Sequence, residues 1–199
     1  MPATRFHPHA RRLRASWLAT VVLVLAACAS TADVPAGAGA ESVDLVRFMG
    51  TWHVIARVPY VGERGHVASS QRFALDEDGD VAIRYEYRKG FDAPLETVHA
   101  RATVGEGTGN RLWTTWLFRV IPTRYRILEV APDYSWALVD HPGRDLAWIM
   151  ARERVMPKEE YRELENRIGG HGVNTDKLRR VPQVREQVGQ LGFDDPAEP

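Results

Sequence analysis

The chain has 199 residues, enough for one domain with extensions, and 44% of them are hydrophobic, the ordinary share for a globular protein with a packed core. Basic and acidic residues balance at 26 each, so no net basic field draws the chain towards nucleic acid. A single cysteine, Cys28, excludes an intrachain disulfide and leaves the fold to rest on packing.

Arg5, Arg11, Arg12 and Arg14 are the only charged residues before Cys28. Removing these four from the 26 leaves 22 basic against 26 acidic side chains, so the remainder is mildly acidic. Trp17 to Ala27 is an apolar run of eleven residues. A spanning helix needs about 20. A basic start followed by a short apolar stretch reads as a secretory signal peptide over residues 1–27. Its end, Leu25-Ala26-Ala27-Cys28, resembles the lipobox of bacterial lipoproteins. That resemblance implies cleavage before Cys28 and a diacylglycerol on its sulfur. With Ala29 next rather than Asp, it also implies sorting to the outer membrane, on the periplasmic face. Several acyl chains, at about 0.8 kcal/mol per buried CH₂, make a durable anchor. Residues 28–43 are small and Pro/Gly-containing, and read as the lipidated N-terminus and a flexible tether.

From Thr51 onward the pattern has period two, interrupted by turn residues. Val81, Ile83, Tyr85 and Tyr87 alternate with Ala82, Arg84, Glu86 and Arg88, and Asp78-Gly79-Asp80 before them is a hairpin turn signal. About eight strands are predicted, at 51–58, 67–75, 81–89, 96–104, 111–118, 124–131, 134–140 and 146–153. Strands at this spacing suit a sandwich or an up-and-down barrel. Eight closed on themselves leave a lumen for one small ligand. One helix follows, with Pro157 in its first turn, Tyr161, Leu164 and Ile168 on one face, and Gly169-Gly170 at its end. Residues 173–183 are expected to return along the strands, and 184–199 to be a partly frayed tail.

Three motifs in order resemble the lipocalins, specifically the bacterial lipocalins related to apolipoprotein D. Gly50-Thr51-Trp52 resembles the family's opening Gly-x-Trp strand. Pro132-Asp133-Tyr134-Ser135-Trp136 resembles a characteristic turn between two strands, and Leu146 to Arg152 the last strand with its arginine. Glu63-Arg64-Gly65 and Asp176-Lys177-Leu178 are weaker matches. The resemblance implies an all-β fold for residues 44–183: an eight-stranded antiparallel up-and-down lipocalin barrel with one C-terminal α-helix packed outside. It also implies that Trp52 plugs the closed end with Arg152 across its ring, next to Gly50, in a structural role.

Alternation anchored on Trp52 and Arg152 then assigns an inner face. The expected ligand lining is Val54, Ala56, Ser69, Gln71, Phe73, Ile83, Tyr85, Ala100, Ala102, Thr114, Trp116, Tyr125, Ile127, Trp148 and Met150. Such an apolar and aromatic surface with a few polar groups suits an acyl chain. The same side chains could also fill a closed core. Glu129 shares parity with Tyr125 and Ile127, and reads either as a buried carboxylate or as a strand-end residue facing solvent. Arg119, Arg124 and Arg126 form a basic cluster, either a solvated face or a site for a ligand headgroup. No catalytic constellation, metal spacing or cofactor fingerprint stands out. The expected function is binding of fatty acids or lysophospholipids in the bacterial envelope. A barrel enzyme and a filled structural lipoprotein are the alternatives. The expected partners are a hydrophobic small molecule, the membrane through lipidated Cys28 and, as an open option, a second copy in a homodimer; nucleic acid is not among them.

Overall fold

The computed structural model describes residues 41–117 and 121–197. The leader, Cys28 and most of the tether fall outside the described residues, as do Phe118 and Arg119. A four-residue helix, α1 (Leu45–Phe48), precedes eight strands: β1 (Gly50–Arg57), β2 (Val67–Leu75), β3 (Val81–Arg88), β4 (Glu96–Val104), β5 (Leu112–Leu117), β6 (Ile121–Val130), β7 (Trp136–Asp140) and β8 (Ala147–Ala151). The longer helix α2 (Lys158–Gly170) and a short strand β9 (Arg179–Arg180) follow. Strands β1 to β8 pair antiparallel in sequence order, β8 returns to β1, and β1 also pairs with β2, so the sheet closes into a barrel. The predicted strands all form, with ends shifted by up to three residues. The helix starts at Lys158, with Pro157 as its N-cap rather than in its first turn.

One end of the barrel is closed by α1, which the alternation pattern does not contain. Asp44 caps it by accepting from the Arg47 backbone N–H at 3.1 Å. The capping holds Phe48 inside the barrel, completely buried, with its ring 5.0 Å from Trp52, 5.4 Å from Phe73 and 5.5 Å from Trp113. Trp52 in turn donates its indole N–H to the Phe48 carbonyl at 2.7 Å. The Arg152 guanidinium lies 3.7 Å from the centre of the Trp52 ring, and donates to the backbone carbonyls of Arg47, Phe48, Met49, Thr51 and Tyr134. Gly50 has a φ of +100°, and a Cβ there would meet Arg152 Nη1 at 3.2 Å, so the glycine is what lets the arginine reach across.

Three register shifts interrupt the pairings, one of them between Val67 and Ser70 of β2, and the other two decide the faces of expected site residues. In β1 the register shifts between Val54 and Ala56, so Ala56 pairs with Ile149 and Arg57 with Trp148. In β6 it shifts between Ile127 and Glu129, and Glu129 pairs with Leu138. Ile149 and Leu138 belong to an outer apolar cluster covered by Tyr161, Leu164 and Ile168 of α2. The predicted helix face therefore packs on the barrel wall. Ala56, expected in the lining, is instead part of this outer seam, because the extra residue reverses the strand's parity. The same reversal turns Glu129 outward, where it accepts a 2.7 Å hydrogen bond from His171 Nε2 at the C-terminal end of α2 and lies 3.7 Å from Arg167.

At the other end β1 parts from β2, and the chain after α2 fills the gap. β9 pairs with Ala56 and Arg57, the Ala68 N–H donates to the Pro182 carbonyl, and Gln183 Nε2 donates to the carbonyls of Val54 and Ser69. Beyond Val184 the chain is not frayed up to Ala197. Asp194 pairs with Arg57 at 3.0 Å, and the Ala197 N–H bonds the Gly65 carbonyl.

Arg152→Ala removes a cation–π contact and the donors that satisfy five carbonyls, so it should cost about 2–4 kcal/mol. Denaturant unfolding is the measurement, and Arg152→Lys should recover less than half of the loss, because a single ammonium cannot span the same carbonyls.

Candidate functional site

The barrel interior is tight at the closed end and loose at the other. Trp52, Val54, Val81, Ala102, Trp113 and Met150 are fully buried. Towards the far end the inward side chains of β3 and β4 become accessible. Ile83 is buried, Tyr85 and Ala100 are half-buried, and Val98, paired with Tyr85 and on the same face, is 39% exposed. Outward neighbours such as Thr97 and His99 are exposed as well, so this wall is wetted on both faces. An apolar valine exposed on the concave face leaves this end of the interior in contact with solvent.

Most of the expected lining comes together here. Val54, Phe73, Ile83, Ala102, Tyr125, Ile127, Trp148 and Met150 belong to one interior cluster, with Tyr85 and Ala100 packed against it. Gln71 is buried in the same space, and its Oε1 lies 3.4 Å from the Tyr125 hydroxyl that donates to it. Ser69 accepts from the Tyr85 hydroxyl at 3.3 Å. Strand β5 is the exception. Thr114 and Trp116 face outward, and Trp113 and Thr115 face inward. The register explains it: Ala102 pairs with Thr115 and Tyr125 with Trp113, and directly paired residues share a face. Trp113 stacks on Tyr125 at 5.3 Å, whereas Trp116 is 39% exposed beside Arg101. The segment Leu112-Trp113-Thr114-Thr115-Trp116-Leu117 puts the same residue types on both faces, so its own pattern carries no parity signal. Of the basic cluster, Arg119 lies outside the described residues, and Arg124 shares the outer face with its partner Thr114. Arg126 lies on the outer face, where it makes a two-point ion pair with Asp140 at 2.6 and 2.9 Å.

Residues 43–183 match the family model of the lipocalin-like domain. The chain belongs to the lipocalin-like family. Among its relatives are temperature-induced lipocalin-1 of Arabidopsis thaliana, 26% identical over 72% of this chain and 81% of that one, and outer membrane lipoprotein Blc of Citrobacter freundii, 25% identical over 82% and 93%. Insecticyanin from the tobacco hornworm Manduca sexta has the same fold, with a TM-score of 0.57 at 17% identity over 79% of this chain and 87% of that one. Lipocalins are in general carriers of small hydrophobic ligands rather than enzymes.

In this lipocalin the loose end also holds a polar group that alternation missed. Past the β1 bulge Arg57 turns inward opposite Trp148 and is completely buried. Its Nη2 donates to the carbonyls of Glu63 and His66 and to Asp194 Oδ2. Glu63, also buried, accepts from the Trp148 indole N–H at 3.4 Å. Burial pushes the Glu63 carboxyl up to about 7, against the opposing pull of Arg57 and the Trp148 hydrogen bond. Burial, with the Arg57 charge second, pushes His66 down to about 4. His66 Nδ1 lies 3.1 Å from the Tyr85 hydroxyl, and its ring stacks on Tyr87 at 3.5 Å. The signal for this cluster was present as a broken pattern. Val54-Ile55-Ala56-Arg57-Val58 contains no alternation, and an arginine inside an apolar run is a candidate buried charge.

These shifts fix a pH dependence. Glu63 has a higher pKa folded than its ordinary 4.5, so the folded state holds more protons between about 4.5 and 7, and stability from this group falls as pH rises through that window. His66 has a lower pKa folded than its ordinary 6.5, so its contribution rises with pH between about 4 and 6.5 and offsets the first. Above 6.5 only the Glu63 loss remains. Glu63→Gln should therefore gain on the parent in melting temperature as pH rises from about 4.5 to 7, with the difference levelling off on either side of that window. A constant difference across pH 5–8 would contradict the buried, proton-holding carboxyl.

Proposed function

We propose that this lipocalin carries single-chain lipids, fatty acids or lysophospholipids, within the bacterial envelope, where it serves membrane maintenance. The observation that carries the reading is the gradient along the barrel. An aromatic plug of Phe48, Trp52 and Trp113 blocks one end, and the wall of Tyr85, Val98 and Ala100 is accessible at the other. A blind apolar tube accepts a chain end-on and shields it from water, a gain of about 0.8 kcal/mol for each CH₂ buried. The polar groups gather at the open end, the arrangement an amphiphile needs for its head. No metal-binding group of three or more His, Cys, Asp or Glu side chains occurs among the described residues.

On this reading residues 1–27 are a leader, Cys28 carries the lipid, and 28–43 tether the barrel to the outer membrane. The sequence before Cys28 supports this, as does the name of the lipoprotein relative. Anchoring a lipid carrier at the bilayer shortens the transfer path, because the ligand need not cross water far from its source. Radioactive palmitate fed to cells should label the expressed chain and not Cys28→Ser; equal labelling of both would remove the anchor.

Titration with a dansyl-labelled undecanoic acid should give saturable uptake at one site per chain. Ala100→Phe should weaken it at least tenfold while shifting the melting temperature by only a few degrees, because Ala100 is only half-buried. Ala102→Phe, at a fully buried position, should instead destabilise by about 1–3 kcal/mol through overpacking. Absence of saturable uptake by the parent protein would sink the carrier reading.

A further inference from the structure

The Arg57 side chain has no accessible surface, yet only one of its three nitrogens is used. Nη2 meets the Glu63 and His66 carbonyls and Asp194, whereas Nε and Nη1 have no hydrogen-bond partner. Glu63 shows the complementary feature. Its Oε1 takes the Trp148 indole N–H, and its Oε2, equally buried, has no partner. Orphaned buried polar atoms of this kind are costly, and more so on a charged group. Both side chains sit at the loose end of the interior. Trp148 pairs with Arg57 and stacks on Tyr125 at 6.4 Å, deeper in the barrel, while Tyr85 reaches His66 from the accessible wall. The region is a polar roof over an apolar shaft.

We infer that Arg57 and Glu63 form the seat for the carboxylate of a fatty acid, held at the roof of the barrel with its chain running down past Trp148 towards Tyr125. The inference rests on the carrier reading above and narrows it to one headgroup. The guanidinium supplies donors to the anionic head. Glu63 in its protonated form supplies the other, with its Oε2–H donating to a carboxylate oxygen. With Glu63 neutral, Arg57, Asp194 and the head carry one net negative charge, and an ionised Glu63 would make it two, so seating the head favours the protonated carboxyl. The compact shape of a carboxylate matters, because the seat is sealed by the loop of residues 60–66 and by the C-terminal segment, where the Ala197 N–H bonds the Gly65 carbonyl. A bulky zwitterionic head would have to displace both.

Protonation gives the inference its own readout. The groups facing Glu63 are Arg57 from β1, Tyr60 and His66 from its own loop, Tyr85 from β3 and Asp194 of the C-terminal segment, with Lys89 and Glu96 beyond His66. Glu63 titrates near neutrality, so at pH 8 it is largely ionised in the free protein, and seating a carboxylate must draw one proton from solution onto it.

The test is calorimetric titration of the purified protein with dodecanoic acid and with 1-dodecanol at pH 8, in two buffers of different ionisation heat. The acid should bind at least tenfold more tightly than the alcohol and take up close to one proton per site, and the alcohol should take up none. Arg57→Gln should lose the preference for the acid. Glu63→Gln should still favour the acid but without proton uptake, and it provides the readout if Arg57→Gln fails to fold. Equal affinity for acid and alcohol, or acid binding without proton uptake, would overturn the seat and leave a lipid carrier in place. Tighter binding of lysophosphatidylethanolamine than of dodecanoic acid would do the same. Binding of none of these would overturn the carrier reading itself.

Discussion

The contact between Arg152 and Trp52 sets the geometry of everything above it. A guanidinium 3.7 Å from the indole centre, tied to five carbonyls, joins the end of β8, the start of β1 and helix α1 in one knot. A helix of four residues has too few internal hydrogen bonds to hold itself, so α1 depends on that knot and on the Asp44 cap. Once α1 is held, Phe48 fills the barrel end against Trp52, Phe73 and Trp113. The accessible wall of Tyr85, Ala100 and Val98 lies at the opposite end.

The two bulges divide the apolar residues between a core and an outer seam. Without the extra residue in β1, Ile55 and Ala56 could not both join Leu138, Ile149 and the α2 residues Leu164 and Ile168. The bulge in β6 does similar service by pointing Glu129 at Arg167 and His171, which fastens the end of the helix. The cost is that β1 can no longer follow β2. The residues after α2 meet that cost by inserting β9, Pro182 and Gln183 between them. Helix, bulges and wedge are one construction, and it places Arg57 under the roof.

Strand existence was legible because alternation is a local property of eight or so residues, and in β3 the pairing with β4 keeps one register from Val81 to Tyr87. The outward positions of Ala56 and Glu129 were not legible, since a bulge is recorded in the pairing of two strands and not in either alone. Trp116 and Thr114 failed for a related reason. Their strand offers a tryptophan, a threonine and a leucine to each face, and only the partners Ala102 and Tyr125 select Trp113 and Thr115 for the interior. The closed end was legible through Gly50, Trp52 and Arg152 by family resemblance, yet Phe48, which fills most of it, lies in a turn of helix too short to leave a periodic trace.

Arg57 shows why the open end is polar at all. Once the bulge points it inward, the charge must be met within the barrel, because an unpaired buried guanidinium costs several kcal/mol. Three neighbours do part of this work: the Glu63 and His66 carbonyls and the Asp194 carboxylate, the last carried in by the C-terminal segment. Glu63, the second carboxylate within reach, does not complete the neutralisation at neutral pH, since its own burial keeps it half protonated near 7. The interior thus keeps a cation with unused donors beside a carboxyl poised to give or take a proton. A purely structural salt bridge would settle into a paired and saturated state, whereas this one keeps buried donors and an acceptor without partners.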